Sequence, residues 1–205
     1  MTPASQALEE LRAGNRRFVA RIAAGYRVQV ADRPLDTAAG QNPFAVVLGC
    51  SDSRVPVELV FDQGLGDLFV IRVAGNIVAP SQVGSVEFAA QSFGTRLVVV
   101  LGHSNCGAVL TTLDELEQPS EQRSPNLAAI VNRVRPAVQS LLDLDPPLER
   151  ETLVRQAVRA NIRASVNGLR HGSDIIEGLI ADDGLLVVGA EYCLESGEVE
   201  FLDEA

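Results

Sequence analysis

Three short runs of branched apolar residues constrain this chain most: Phe44–Leu48, Leu68–Val73 and Arg96–Leu101. Each is continuous rather than alternating and rich in Val, Ile and Leu, which is how a strand reads when both of its faces are covered. Strands of that kind belong to parallel sheets held between layers of helices. Leu185–Ala190 reads as another buried strand, and Val199–Leu202 as a short edge strand after a Ser196-Gly197 turn.

Helical segments alternate with these runs. Ser5–Ala24 has Ser5 as a cap, Leu8, Leu11, Phe18 and Ile22 at helical spacing, and Gly25 as a stop. Pro80–Phe93 opens on a Pro-Ser turn and carries Val83, Val86 and Ala90 on one face, and Asn105–Leu116 follows the third run directly. Two more helices, at about 126–143 and 149–170, flank Asp145-Pro146-Pro147, with Gly172 ending the second. Residues 26–42 and 117–125 are polar connections of little periodicity. The alternation predicts an α/β fold, a central and mainly parallel β-sheet flanked by helices, in one domain over 1–205. With 46% hydrophobic but only 4% aromatic residues, the core must be built from Val, Leu, Ile and Ala.

Charge removes several classes of function. All 17 basic residues are Arg. Without Lys there is no Schiff-base chemistry and no P-loop nucleotide site. A formal charge of −10 argues against nucleic acid or an anionic membrane as partner. The last fifteen residues contribute −6 of it, so the acidity belongs largely to the tail and is no clue to the substrate. No stretch approaches the roughly 20 apolar residues of a membrane span, and the N-terminal residues lack the basic and apolar regions of a secretory signal. Cys50, Cys106 and Cys193 are too few for a disulfide framework. They read as thiols, available to metal or substrate, in a cytoplasmic protein.

Two strand ends repeat one pattern. Phe44-Ala-Val-Val-Leu-Gly49 runs into Cys50, and Arg96-Leu-Val-Val-Val-Leu-Gly102 runs into His103, with Cys106 three residues on. Function in open parallel sheets gathers at the carboxyl ends of strands, and here both strands deliver a metal donor there. A His-x-x-Cys step at a helix start predicts both side chains on one side of the first turn, where the helix dipole favours a thiolate. Cys50, His103 and Cys106 thus form a Cys2His set suited to Zn²⁺, with a fourth position open to water or a carboxylate. Two thiolates cancel the zinc charge and leave it a weaker acidifier of water than zinc held by three imidazoles. Asp52, in Cys50-Ser-Asp-Ser-Arg54, is the carboxylate within reach, and Arg54 is spaced to pair with it. Paired, Asp52 would orient the nucleophile; released, it could take the fourth position on the metal.

With these motifs in this order, 53 residues from Cys50 to His103, the chain resembles the β-class carbonic anhydrases. The likeness extends to Leu8–Phe18, which is similar to that family's projecting N-terminal helix, to Phe61–Asn76 and to Gly84–Phe88, and spans about 5–200. It implies reversible, zinc-dependent hydration of CO₂ to bicarbonate and a proton. Cys50, His103 and Cys106 would be the ligands. Asp52 and Arg54 would be the dyad that orients the zinc-bound hydroxide or, in a closed form, supplies Asp52 as fourth ligand. Gln41 matches the family's substrate-orienting glutamine, given across a dimer interface. Phe69, Ala74 and Phe88 fall where the family lines an apolar CO₂ pocket, and Gly107 offers a backbone N–H to a bound oxygen. Position 88 is often Tyr in that family, so its hydroxyl is missing here. A bicarbonate-inhibited subgroup carries Trp three residues before its first Cys; this chain has Val47 there and no Trp. The resemblance also implies a homodimer or homotetramer, with residues 1–40 as helix and arm in dimerisation.

Plainer roles stand beside these. Arg72 is expected as a buried ion-pair partner, His171 as a cation ending a helix, Cys193 as a half-buried thiol, and Gly75-Asn76 as a turn without chemistry. Two other functions fit the same ligands: hydrolysis of COS or CS₂, and a closed structural Cys2HisAsp zinc site in a bicarbonate sensor or assembly module.

Overall fold

The computed structural model describes residues 2–27, 40–119 and 124–202. Residues 28–39 of the expected arm, 120–123 of the polar break and 203–205 of the acidic tail lie outside the described residues.

The chain opens with α1 (Ala4–Ala23), then runs β1 (Ala45–Gly49), α2 (Val57–Val60), β2 (Leu68–Arg72), α3 (Pro80–Ser92) and β3 (Leu97–His103). It continues through α4 (Gly107–Glu117), α5 (Pro125–Leu142), α6 (Arg150–Arg170), α7 (Asp174–Asp182), β4 (Leu186–Tyr192) and β5 (Val199–Leu202). The five strands lie in the order β2-β1-β3-β4-β5. All neighbours are parallel except β4 and β5. This is the mainly parallel sheet the apolar runs predict.

The runs are continuous because each strand feeds two cores. Val46 and Leu48 of β1, Val98 and Val100 of β3 and Val187 of β4 join the core under α3–α7. Their neighbours Ala45, Val47, Leu97, Val99, Leu101 and Val188 face the opposite core, with Leu8, Leu11 and Phe18 of α1. Every residue of β1 and β3 is buried. A Leu or Val side chain buried in this way contributes about 1.5–3 kcal/mol.

On that second face α1 is tied to the chain's other end. Asn15, buried in the helix, donates to the carbonyls of Val60 and Gly197 and accepts from the Val199 amide. The helix begins after Pro3 with no side-chain cap, so Ser5 lies inside it. Gly25, at φ +75°, ends it as expected. Ile22 is 44% exposed and leaves the expected apolar face. Nothing in the sequence reading assigns an element to 57–60 or 174–182. Ser173 caps α7 by accepting from the Ile176 amide, and Ile176 is its one buried residue.

Candidate metal centre

Connections leave β1 and β3 toward opposite flanks of the sheet, so the crevice between their carboxyl ends is the topological switch point where parallel sheets bind ligands. Cys50 follows the last residue of β1, and His103 is the last residue of β3. Cys106 precedes the first residue of α4 and occupies its N-cap with an extended ψ of 117°. The expected helical His-x-x-Cys step is therefore corrected: a strand end, a Ser104-Asn105 turn and a helix cap present the two donors. Asn105, at φ 54°, makes the reversal. Ser104 is pinned in it, with its N–H on the Tyr192 carbonyl and its hydroxyl accepting from the Leu194 amide.

The sulfurs of Cys50 and Cys106 and a His103 ring nitrogen lie within 4.8 Å of one another, the only such metal-donor cluster among the described residues. All three residues are buried. The sulfurs are 3.9 Å apart. Two sulfurs about 2.3 Å from a tetrahedral zinc would be about 3.8 Å apart, so the spacing fits the ion. His103 Nδ1 lies 2.9 Å from the Ser104 carbonyl, which can only accept. Nδ1 therefore carries the hydrogen, so that in the neutral ring a metal requires, the lone pair is at Nε2, the arrangement of a metal-binding His. Nε2 is buried and has no hydrogen-bond partner. A buried acceptor without a donor is costly, and a cation between it and the two sulfurs removes the cost.

The electrostatics of the cluster agree. The adjacent Cys106 thiol, more than any other group, draws the Cys50 thiol down to about 4; burial opposes this, while His103 and the Gly75 and Asp52 amides assist. Cys106 is pushed up, first by the Cys50 sulfur and then by burial. Burial disfavours a charged His103, but the Cys50 sulfur, the Ser104 carbonyl and Asp52 together outweigh it and raise its pKa. Such a pocket attracts positive charge.

Asp52 stands over the cluster, with Oδ2 at 3.8 Å from His103 Nε2. Both carboxylate oxygens are engaged by Arg54, Nε to Oδ1 at 2.9 Å and Nη2 to Oδ2 at 2.7 Å, and the Arg54 amide adds a third bond to Oδ1. Arg54 holds the Asp52 carboxyl well below the usual carboxylate range, against a smaller effect of burial. Arg72 differs from expectation. It is exposed, and its guanidinium donates to the carbonyls of Cys50 and Asp52, at 3.0 and 2.5 Å, clamping the loop that carries both a ligand candidate and the carboxylate. The charge of an Arg is legible in sequence, but main-chain carbonyls as its partners are not.

The remaining expected residues are more dispersed. Phe69 of β2 and Phe88 of α3 have ring centroids 6.1 Å apart and share an aromatic cluster with Phe93, which the sequence reading did not single out. Phe88 is 52% exposed in the single chain. Ala74 opens the tight 74–76 turn. Gly107 starts α4 with open space where a side chain would stand. Gln41 is exposed on the segment entering β1. His171 ends α6, and Cys193 is a free thiol of intermediate burial. Gly75 is the site residue the motifs did not reveal: its amide donates to Cys50 Sγ at 3.4 Å.

The sequence profile of the carbonic anhydrase family matches residues 45–199. The chain is 38% identical over 197 residues to carbonic anhydrase 2 of Mycobacterium tuberculosis, covering 96% of this chain and 92% of that protein. It is 39% identical over 194 residues to the carbonic anhydrase of Mycolicibacterium smegmatis, covering 95% and 91%. Among solved structures it is similar to a tetrameric β-carbonic anhydrase of Sordaria macrospora, with a TM-score of 0.71, 28% identity and coverage of 80% of this chain and 83% of that one.

Proposed function

The chain belongs to the β-class carbonic anhydrases, and we propose that it hydrates CO₂ with a zinc ion held by Cys50, His103 and Cys106 and with Asp52 and Arg54 as the orienting dyad. The observation that carries this reading is the buried, partnerless Nε2 of His103 facing two sulfurs at tetrahedral spacing. Zinc, when bound, supplies the Lewis acidity that makes water a nucleophile near neutral pH.

The chain's own residues do the rest. Asp52, kept ionised by Arg54, is purely an acceptor, so an attacking oxygen beside it must point its hydrogen at Asp52 and a lone pair elsewhere. Because both Asp52 oxygens are held by Arg54, the orienting role is favoured over a closed site with Asp52 as fourth ligand. Phe69, Ala74 and Phe88 give CO₂ an apolar wall that excludes water. The N–H of Gly107, the first residue of α4, is the donor to an oxygen of the product bicarbonate in this reading. Attack of the oxygen on carbon gives bicarbonate, and the proton passes to solvent.

Phe88 is open to solvent in a single chain. We propose that a second copy covers Phe88 and brings its Gln41 to the substrate, in a homodimer or homotetramer that uses residues 1–40. The tetrameric state of the Sordaria macrospora enzymes supports assembly. Residues 1–205 act as one zinc-binding domain, and we place it in the cytoplasm, where thiols stay reduced. No described helix is long and apolar enough to cross a membrane.

X-ray absorption at the zinc edge of the zinc-loaded protein above pH 8 tests the ligand set. Two sulfurs, one imidazole and one further light atom are expected. Fewer than two sulfurs would refute it.

A further inference from the structure

The Gly75 amide reaches Cys50 only because the 74–76 turn takes an unusual shape. Gly75 and Asn76 are both left-handed, at φ 71° and 43°. Left-handed backbone at a non-glycine residue is disfavoured and persists only when its surroundings over-determine it. Here α6 does so. Asn161, 2% exposed, donates from Nδ2 to the Gly75 carbonyl at 2.8 Å. Ser165, one helical turn on and 5% exposed, donates from its hydroxyl to the Asn76 carbonyl at 3.0 Å. On the other side α4 closes in: a Cβ on Gly75 would lie 3.0 Å from the Ala108 Cβ. The turn is thus wedged between two helices, with its carbonyls bound to α6 and an N–H aimed at the Cys50 sulfur.

We propose that Asn161 and Ser165 are positioning residues for the metal centre: they fix the Gly75–Asn76 turn so that the Gly75 N–H donates to Cys50 Sγ and limits the electron donation of that thiolate. This deepens, and rests on, the assignment of Cys50 as a zinc ligand. An N–H directed at a thiolate withdraws charge from it, and partners of this outer kind tune both the basicity of a ligand and the Lewis acidity of its metal. The effect matters more in a site with two thiolates, where the metal charge is already cancelled. Both residues act through the carbonyls of the turn.

Cobalt-loaded protein tests this, because sulfur-to-cobalt charge-transfer absorption reads the electron density on the ligand sulfur directly. Asn161→Leu removes the donor while keeping bulk, and Ser165→Ala is the milder change should the first not fold. Both are expected to move the charge-transfer band to lower energy and to weaken zinc by about tenfold in chelator competition. A folded Asn161→Leu or Ser165→Ala protein with the parent band position would overturn the proposal, since a purely structural role lowers stability without moving that band. If the parent protein itself shows no sulfur-to-cobalt band, it is the ligand assignment that fails, and the proposal with it.

Discussion

Arg54 meets Asp52 with three donors, two from the guanidinium and one from its own amide, so the carboxylate is fixed in plane as well as in charge. A Lys at that position keeps the charge but cannot reproduce the fork. Arg54→Lys is therefore expected to lower kcat/KM for CO₂ by about tenfold or more, the usual effect of loosening a group that orients a metal site. An unchanged kcat/KM would reduce the pair to a surface salt bridge. Cys193 offers a pH-dependent check. The Ser196 hydroxyl first, and the Ser196 and Glu195 amides with it, pull its pKa down against burial. A lowered pKa populates the thiolate at lower pH, so its alkylation should reach half-maximal rate below the ordinary thiol value of about 8.5. Ser196→Ala should move that midpoint upward; a midpoint at or above the ordinary value in the parent would contradict the geometry. At this scale the ligand and dyad candidates were legible, because Cys, His, Asp and Arg carry their chemistry in the side chain. Gly75 was not, since every residue but Pro has an N–H and only the fold decides where it points. The partners of Arg72 are hidden from the sequence for the same reason, being carbonyls.

At the scale of elements, β1 and β3 were legible because burial on both faces leaves no polar side chain within Ala45–Gly49 or Leu97–Gly102. Their ends shift by one or two residues, as is usual where hydrogen bonding fades. The shift places His103 inside its strand. Short α7 has a single fully buried residue, Ile176, with Leu179 and Ile180 packed partly against the core, and Ser173 followed by Asp174 and Glu177 is its cap signal. What the pattern could not show is how α6 meets the sheet. Ile162 sits in a notch made by two glycines on adjacent strands: a Cβ at Gly102 would lie 2.6 Å from its side chain, and one at Gly189 would lie 2.8 Å away. Gly102→Ala is expected to cost about 1–3 kcal/mol in urea unfolding, the usual range for overpacking, and to weaken metal retention by displacing His103. An unaltered unfolding midpoint would mean that α6 yields and the notch is unimportant.

Over the whole molecule, the sheet carries Cys50 and His103 to one crevice, α4 caps it with Cys106, and α6 braces it from behind. The aromatic cluster around Phe88 opens to solvent in the single chain, which the sequence does not show. The largest share of the net negative charge falls within residues 191–205 of the sequence, and the site itself is nearly neutral once two thiolates meet a divalent cation. The claim on which all of this depends is that the Cys50, His103 and Cys106 cluster holds the zinc by which the chain turns over CO₂. Stopped-flow CO₂ hydration above pH 8, run on zinc-loaded protein, on the same protein after chelation and again after zinc is restored, tests it most directly. Acceleration over buffer that is lost with the metal and returns with it is the expected result. No acceleration in the loaded protein, or full activity in the stripped one, would contradict it.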